Sequence, residues 1–316
     1  RKVGVHQPPA HYFIVCFPHT AIPIGAKDSE ISKIILIFVE ILSLKSDAMG
    51  NSAKRVLFVN SEIYPYLPES PISNIGRYLP QGIQERKKEI RSFMPRYGCI
   101  NERKNQLHEV IRLSGMNIVI NDVDRPLVIK VASISAARMQ VYFIDNEDYF
   151  THRGLECDSN GELYPDNGER AIFYARGVLE ITKKLKWTPD IIHCQGWMAS
   201  LVPLYLKKAY NDEPCFRDVK IITSIDKIEN DGIIGENFKN SIEYKNITAE
   251  DLAEYNDSFS MNDLCKIAAE YSDGIIEITA GANPEIMDMA QTLGKKTLPY
   301  PGEDFTEKYK EFYETI

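Results

Sequence analysis

The chain has 316 residues, 44% hydrophobic and 26% charged, with 37 Lys and Arg against 45 Asp and Glu for a formal net charge of −8. That is globular composition with ample length for a buried core. It argues against a nucleic-acid or anionic-membrane surface, which collects Lys and Arg to displace counterions, and against a fibrous or disordered chain.

Residues 1–48 differ in kind from the rest of the chain. They hold three of the six histidines (His6, His11, His19) and four prolines, and show no clean periodicity before Ile34. The apolar run Ile34–Val39 is interrupted by Glu40 and is too short to span a bilayer. As the h-region of a signal peptide it would follow an overlong n-region and precede no A-x-A-like site. The favoured expectation is a translated leader, with Met49 as the start and the folded protein beginning near residue 53.

From there the pattern alternates strands and helices. Lys54–Asn60 reads as a buried parallel strand, and Ile72–Arg86 as a helix with Ile75, Leu79 and Ile83 on one stripe. Ile90–Met94 is a second strand, closed by the turn Pro95-Arg96-Tyr97-Gly98. Met116–Asn121, Leu127–Ile134 and Met139–Ile144 are successive β-rich runs, predicting an antiparallel meander or an inserted sheet. Gly168–Lys186 is the clearest helix, with Lys183, Lys184 and Lys186 where the helix dipole favours cations. Asp190–Cys194, Met198–Tyr210 and Val219–Ser224 continue as strand, helix and strand; Asn262–Tyr271, Gly274–Thr279 and Pro284–Leu293 add helix, strand and helix. Gly294–Pro301 reads as a connector and Phe305–Ile316 as a terminal helix whose Phe305, Tyr309, Phe312 and Tyr313 form one docking face. The order predicts an α/β fold, a doubly wound, mostly parallel Rossmann-like sheet.

The six cysteines (Cys16, Cys99, Cys157, Cys194, Cys215, Cys265) form no C-x-x-C pair. They suggest buried thiols in a reducing cytoplasm rather than a zinc site or disulfide framework. No metal or cofactor is called for.

A family resemblance rests on several stretches in one colinear order. Lys54-Arg55-Val56-Leu57-Phe58-Val59-Asn60-Ser61-Glu62-Ile63-Tyr64-Pro65-Tyr66 resembles the opening of bacterial glycogen and starch synthases. Leu79-Pro80, Met94–Gly98 and Tyr164-Pro165-Asp166-Asn167-Gly168-Glu169-Arg170 continue it, followed by Trp187–Cys194, Trp197 and Leu201-Val202-Pro203. Lys266, Tyr271, Ser272, Asp273, Glu285 and Ile286 resemble the end of the same half, so the coverage runs from Lys54 to Leu293. The resemblance implies one half of a two-domain GT-B glycosyltransferase. Its family transfers glucose from ADP-glucose or UDP-glucose to an α-1,4-glucan with retention and without a metal. The other half, which grips the nucleotide, is not expected in the residues after Leu293, although the terminal helix is similar to the family's last helix.

The departures concern the donor site. Where the family has a Lys-Thr/Val-Gly-Gly-Leu loop, this chain has Pro68, Glu69, Ser70, Pro71 and Ile72. Glycines let backbone N–H groups approach a diphosphate and lysine adds charge; Pro71 lacks an N–H, Ser70 adds a Cβ and Glu69 repels phosphate. The family's Asp in the next helix is Asn74, its His-Asp-Trp is Gln195-Gly196-Trp197, and its Thr-Ile-His-Asn strand end is Ser224-Ile225-Asp226-Lys227. Glu62, Asp166, Asn167, Arg170, Gln195 and Asp226 remain as candidate sugar contacts. Blander roles compete: Asp166 or Asn167 as a helix cap, Glu62 as a solvated carboxylate, Trp197 and His193 as core, and Asp122 and Asp124 beside Arg125 as a charged surface turn.

The expected function is a sugar-binding, regulatory or partner-dependent relative in glycogen metabolism, taking an α-glucan or small sugar. A nucleotide sugar would bind only if the loop stayed competent. The alternatives are a glycosyltransferase completed in trans by a donor-binding chain, and a non-enzymatic interaction domain on the same fold.

Overall fold

The structure, a computed structural model, describes residues 55–228, 230–235 and 238–316. The leader expectation for residues 1–48, the run Ile34–Val39 and the strand start at Lys54 lie outside the described residues.

The strands are β1 (Arg55–Asn60), β2 (Glu89–Pro95), β3 (His108–Glu109), β4 (Met116–Ile120), β5 (Val123–Ile134), β6 (Met139–Asp145), β7 (Ile191–Gln195), β8 (Lys220–Ile225), β9 (Gly274–Glu277) and β10 (Lys296–Leu298). The helices are α1 (Pro71–Glu85), α2 (Glu102–Asn105), α3 (Asn167–Lys184), α4 (Val202–Lys208), α5 (Phe238–Ser241), α6 (Met261–Tyr271), α7 (Pro284–Thr292) and α8 (Phe305–Thr315). The sheet runs β10-β9-β8-β7-β1-β2-β6-β5-β3, with β4 paired to β5. From β10 to β6 all pairings are parallel, and β5 joins antiparallel to β6, β3 and β4. The meander is therefore an extension of one edge of the main sheet.

The parallel strands are continuous apolar runs because both faces are covered. In β1, Val56 and Phe58 pack with Ile75, Leu79 and Ile83 of α1 and Tyr309, Phe312 and Tyr313 of α8. Leu57 and Val59 face the larger cluster formed with α3 and α4. The apolar side of α8 thus docks on the sheet beside α1. One connector expectation is corrected: within Gly294–Pro301, Lys296–Leu298 forms the edge strand β10, parallel to β9. A three-residue edge strand needs only backbone partners on one side, so side-chain pattern gives little warning of it.

The chain reverses its winding between β1 and β7, since β2 lies on one side of β1 and β7 on the other. At such a switch point the loops leaving the two strands diverge and open a crevice at their carboxyl ends. Two glycines make the close approaches there. Gly76 of α1 brings its backbone so near the loop after β1 that a Cβ would lie 2.2 Å from the Glu62 carbonyl oxygen. Gly196 has φ +76°, and a Cβ would fall 2.5 Å from Ile72 Cδ1 and 2.6 Å from Ser61 Oγ.

Candidate functional site

The crevice is a cleft of about 430 Å³. Glu62, Ser70 and Pro71 wall it from the first loop, Gly196 and Trp197 from the loop after β7, and Asp226 and Lys227 from the end of β8. The wall is pinned locally: Ser61 N–H donates to the Gln195 carbonyl at 2.9 Å, and Met198 N–H donates to Ser61 Oγ at 3.1 Å.

The loop Pro68–Pro71 ends in a helix start of its own. Ser70 is the N-cap of α1, with Ser73 N–H donating to Ser70 Oγ at 3.0 Å and Ser70 N–H donating to Ser73 Oγ at 2.8 Å. Pro71 takes the first helical position, where its missing N–H costs nothing to the helix. Ser70 Oγ also donates to Glu62 Oε2 at 3.2 Å. The N-terminus of α1 therefore uses its caps internally and has the chain's own carboxyl group beside it. Burial pushes the Glu62 carboxyl up from 4.5 to about 7, eased by the Ser70 bond and reinforced by Glu156 and Asp226.

On the opposite wall Asp226 is held in place, its Oδ1 accepting from Thr279 Oγ1 at 2.6 Å and from Lys227 N–H at 2.8 Å. Trp197 is half-buried: it packs on the core, as expected, and also lines the cleft. Gln195 sits one residue before the cleft wall, fully buried, and neither atom of its amide has a partner among the described residues. Asn74 lies on the first turn of α1, half-buried and outside the cleft lining. Glu69 is exposed.

Asp166, Asn167 and Arg170 are brought together away from the lining. Arg170 is fully buried. Its guanidinium donates to the carbonyls of Tyr149 (2.9 Å), Leu155 (2.8 Å) and Gly154 (2.7 Å) and to Asn167 Oδ1 (2.7 Å). Asn167 Nδ2 donates to the Glu156 carbonyl at 2.9 Å. Asp166 occupies the N-cap position of α3 without a side-chain cap bond and instead pairs with Arg153 at 2.7 Å. The trio fixes the loop that delivers Leu155 and Glu156 to the cleft, acting on the site through that backbone. Sequence reading pointed to the trio but not to Leu155 or Glu156, because nothing local marks a loop supported from a distant helix.

His193 is a core histidine, as expected. Its Nδ1 lies 2.6 Å from the Tyr313 hydroxyl of α8 and its Nε2 2.6 Å from Ser224 Oγ. Burial pulls its pKa down to about 3, so the ring is neutral and donates through one nitrogen while accepting through the other. Asp122 and Asp124 are exposed at the β4–β5 turn, and Arg125 pairs with Asp148 at 2.7 Å. Among the described residues, no cluster of His, Cys, Asp and Glu is arranged to hold a metal ion, and no helix is long and apolar enough to cross a membrane.

With this geometry in view, the comparisons with known proteins agree with one another. The profile described as the starch synthase catalytic domain matches residues 55–297. The glycogen synthase of Pelodictyon phaeoclathratiforme is 39% identical over 181 residues, covering 57% of this chain and 37% of that protein. The glycogen synthase of Chlorobium chlorochromatii is 32% identical over 262 residues, covering 80% of this chain and 53% of that protein. In fold, the chain is similar to the catalytic domain of starch synthase IV from Arabidopsis thaliana, a structure bound to ADP and acarbose. That similarity has a TM-score of 0.64 at 15% identity and covers 79% of this chain and 51% of that one. The chain spans about half or less of the length of these relatives.

Proposed function

The chain belongs to the starch synthase catalytic-domain family, and from that premise we propose that its cleft binds an uncharged saccharide of the α-glucan type without itself gripping a nucleoside diphosphate. The observation that carries the reading is the N-terminus of α1. A helix start binds phosphate when its N–H groups are free and point at the ligand. Here Ser70 and Ser73 cap each other, Pro71 offers no N–H, and the Glu62 carboxyl accepts from Ser70. Glu156 and Asp226 outnumber Lys227, so the lining is net acidic even where the raised Glu62 carboxyl holds its proton, and that opposes a diphosphate.

The same wall suits a sugar. The carboxyl groups and the Thr279 hydroxyl can exchange hydrogen bonds with sugar hydroxyls, and Trp197 offers an aromatic surface to a pyranose ring. The similar starch synthase holds acarbose and ADP, so a saccharide in this crevice is consistent with its family, whereas the ADP needs donors that this loop does not offer. On this reading the protein acts in glucan metabolism as a binding or regulatory subunit, or as the acceptor half of a transferase that obtains its donor site elsewhere.

The test uses the full chain with maltohexaose in a calorimeter and with labelled ADP-glucose and glycogen in a transfer assay. Saturable maltohexaose binding is expected, weakened at least about tenfold (~1.4 kcal/mol) in Trp197→Ala. No label should reach the glucan above a heat-killed control. Label transfer would overturn the donor part of the reading, and absence of maltohexaose binding would overturn the sugar part.

A further inference from the structure

A second concavity, about 380 Å³, lies at the opposite end of the strands from the cleft, by the amino ends of β2 and β6. Gln84, Arg91, Ser133, Arg138, Gln140 and Tyr142 supply its polar wall, and no carboxylate among the described residues lines it. Among the described residues neither Arg91 nor Arg138 forms an ion pair.

Arg91 is held ready. Its guanidinium lies 5.3 Å from the Trp187 ring and 5.8 Å from the Tyr142 ring, and Nη1 donates to the Tyr142 hydroxyl at 2.7 Å. Its Nε is buried and has no hydrogen-bond partner among the described residues. Arg138 stands in a left-handed conformation, φ +50°, at the end of the turn Ser135–Ala137, with its carbonyl accepting from Gln84 Nε2 at 3.4 Å. Its side chain is exposed at the rim. Glu89 is the acid nearest in sequence and is engaged elsewhere: it accepts from Trp187 Nε1 at 2.6 Å and from Arg55 Nε at 3.0 Å. The Trp187 bond, with Arg55 and Arg91 assisting against some burial, holds its carboxyl below the usual range. Arg55 and Arg91 thus share the field of one carboxylate, and with Arg138 added the pocket keeps an excess of positive charge.

We propose that this basal pocket binds a phosphoryl dianion. Two guanidinium forks match a tetrahedral oxyanion with several acceptor oxygens. Gln84, Ser133 and Gln140 supply neutral donors around them. The pocket shares no lining residue with the saccharide cleft, so the proposal stands apart from the function assigned there.

The protein has two tryptophans, and each reports one site. The Trp187 indole lies on Arg91, whereas Trp197 lines the cleft. Full-length protein with ¹⁵N-labelled indoles is titrated with inorganic phosphate and, separately, with glycerol 3-phosphate, against chloride at matched ionic strength. The expected result is a saturable shift of the Trp187 resonance with Trp197 unmoved. Arg138→Gln, a surface change, should weaken phosphate at least about tenfold, as expected for a lost charge-assisted bond. Tighter glycerol 3-phosphate assigns the site to phosphate monoesters, and equal or weaker binding assigns it to the free ion. Absence of a saturable Trp187 shift, unchanged affinity in Arg138→Gln, or a shift confined to Trp197 would each overturn the proposal.

Discussion

Replacing Glu62 by Gln should make the protein more stable at neutral pH and almost unchanged in acid. The Glu62 carboxyl titrates at about 7 in the fold against 4.5 in an unperturbed chain. Between those values the native state keeps its proton while the unfolded chain has released it. Stability therefore falls as pH rises from 4.5 to about 7 and is level above that. A separation of that size corresponds to about 3 kcal/mol at pH 8 and above. His193 acts in the opposite sense. Its pKa is about 3 in the fold against 6.5 outside it, so its contribution is complete above 6.5 and is lost as pH falls through 3. The two windows overlap, and the wild-type curve alone would hide both. The difference between Glu62→Gln and wild type isolates the first, because the amide is neutral throughout and its oxygen can still accept from Ser70. Urea unfolding followed by circular dichroism, at steps from about pH 4.5 to 8, should give a difference that grows by about 3 kcal/mol. A difference flat to within about 1 kcal/mol would refute the burial of a protonated carboxyl at the cleft.

Arg170→Met should destabilise by about 3–5 kcal/mol in the same assay, because it strips the partners from three carbonyls and the Asn167 amide at once. It should also loosen saccharide binding through Leu155 and Glu156, read as a weaker maltohexaose affinity where the variant stays folded. Tyr313→Phe leaves His193 Nδ1 unpaired under α8 and should cost about 1–2 kcal/mol, measured by urea midpoint at constant slope. Gly76→Ala would force a Cβ against the Glu62 carbonyl and should cost about 2–3 kcal/mol while displacing Glu62, seen as a shifted Trp197 resonance.

Much of the fold was legible because its signals are local. The strand Arg55–Asn60 and the strands around Ile192 and Ile222 are apolar runs because each is covered on both faces. Helices Pro71–Glu85 and Asn167–Lys184 declare themselves by a 3.6-residue stripe. The aromatic repeat at Tyr309, Phe312 and Tyr313 pointed to docking in the same way. The helix start at Ser70 and Pro71 was equally plain, since capping residues and proline act on the backbone of their own turn. Less legible were the edge strand Lys296–Leu298 and the short helix Glu102–Asn105, whose stability comes from neighbours rather than from periodicity.

By itself, then, the amino-acid sequence determined the doubly wound sheet and the family to which the chain belongs. Periodicity, turn chemistry and colinear motifs all reside in short windows of chain. Only the tertiary structure decided which polar residues share the cleft. It set Glu62 against Ser70 and gave it a buried environment that pushes its carboxyl up to about 7. It moved Asp166, Asn167 and Arg170 behind the wall as supports for Glu156, and it placed Arg91 and Arg138 around one pocket at the amino ends of the strands. These are matters of burial and of contact between residues far apart in the chain, and desolvation and long-range packing leave no trace in a local pattern.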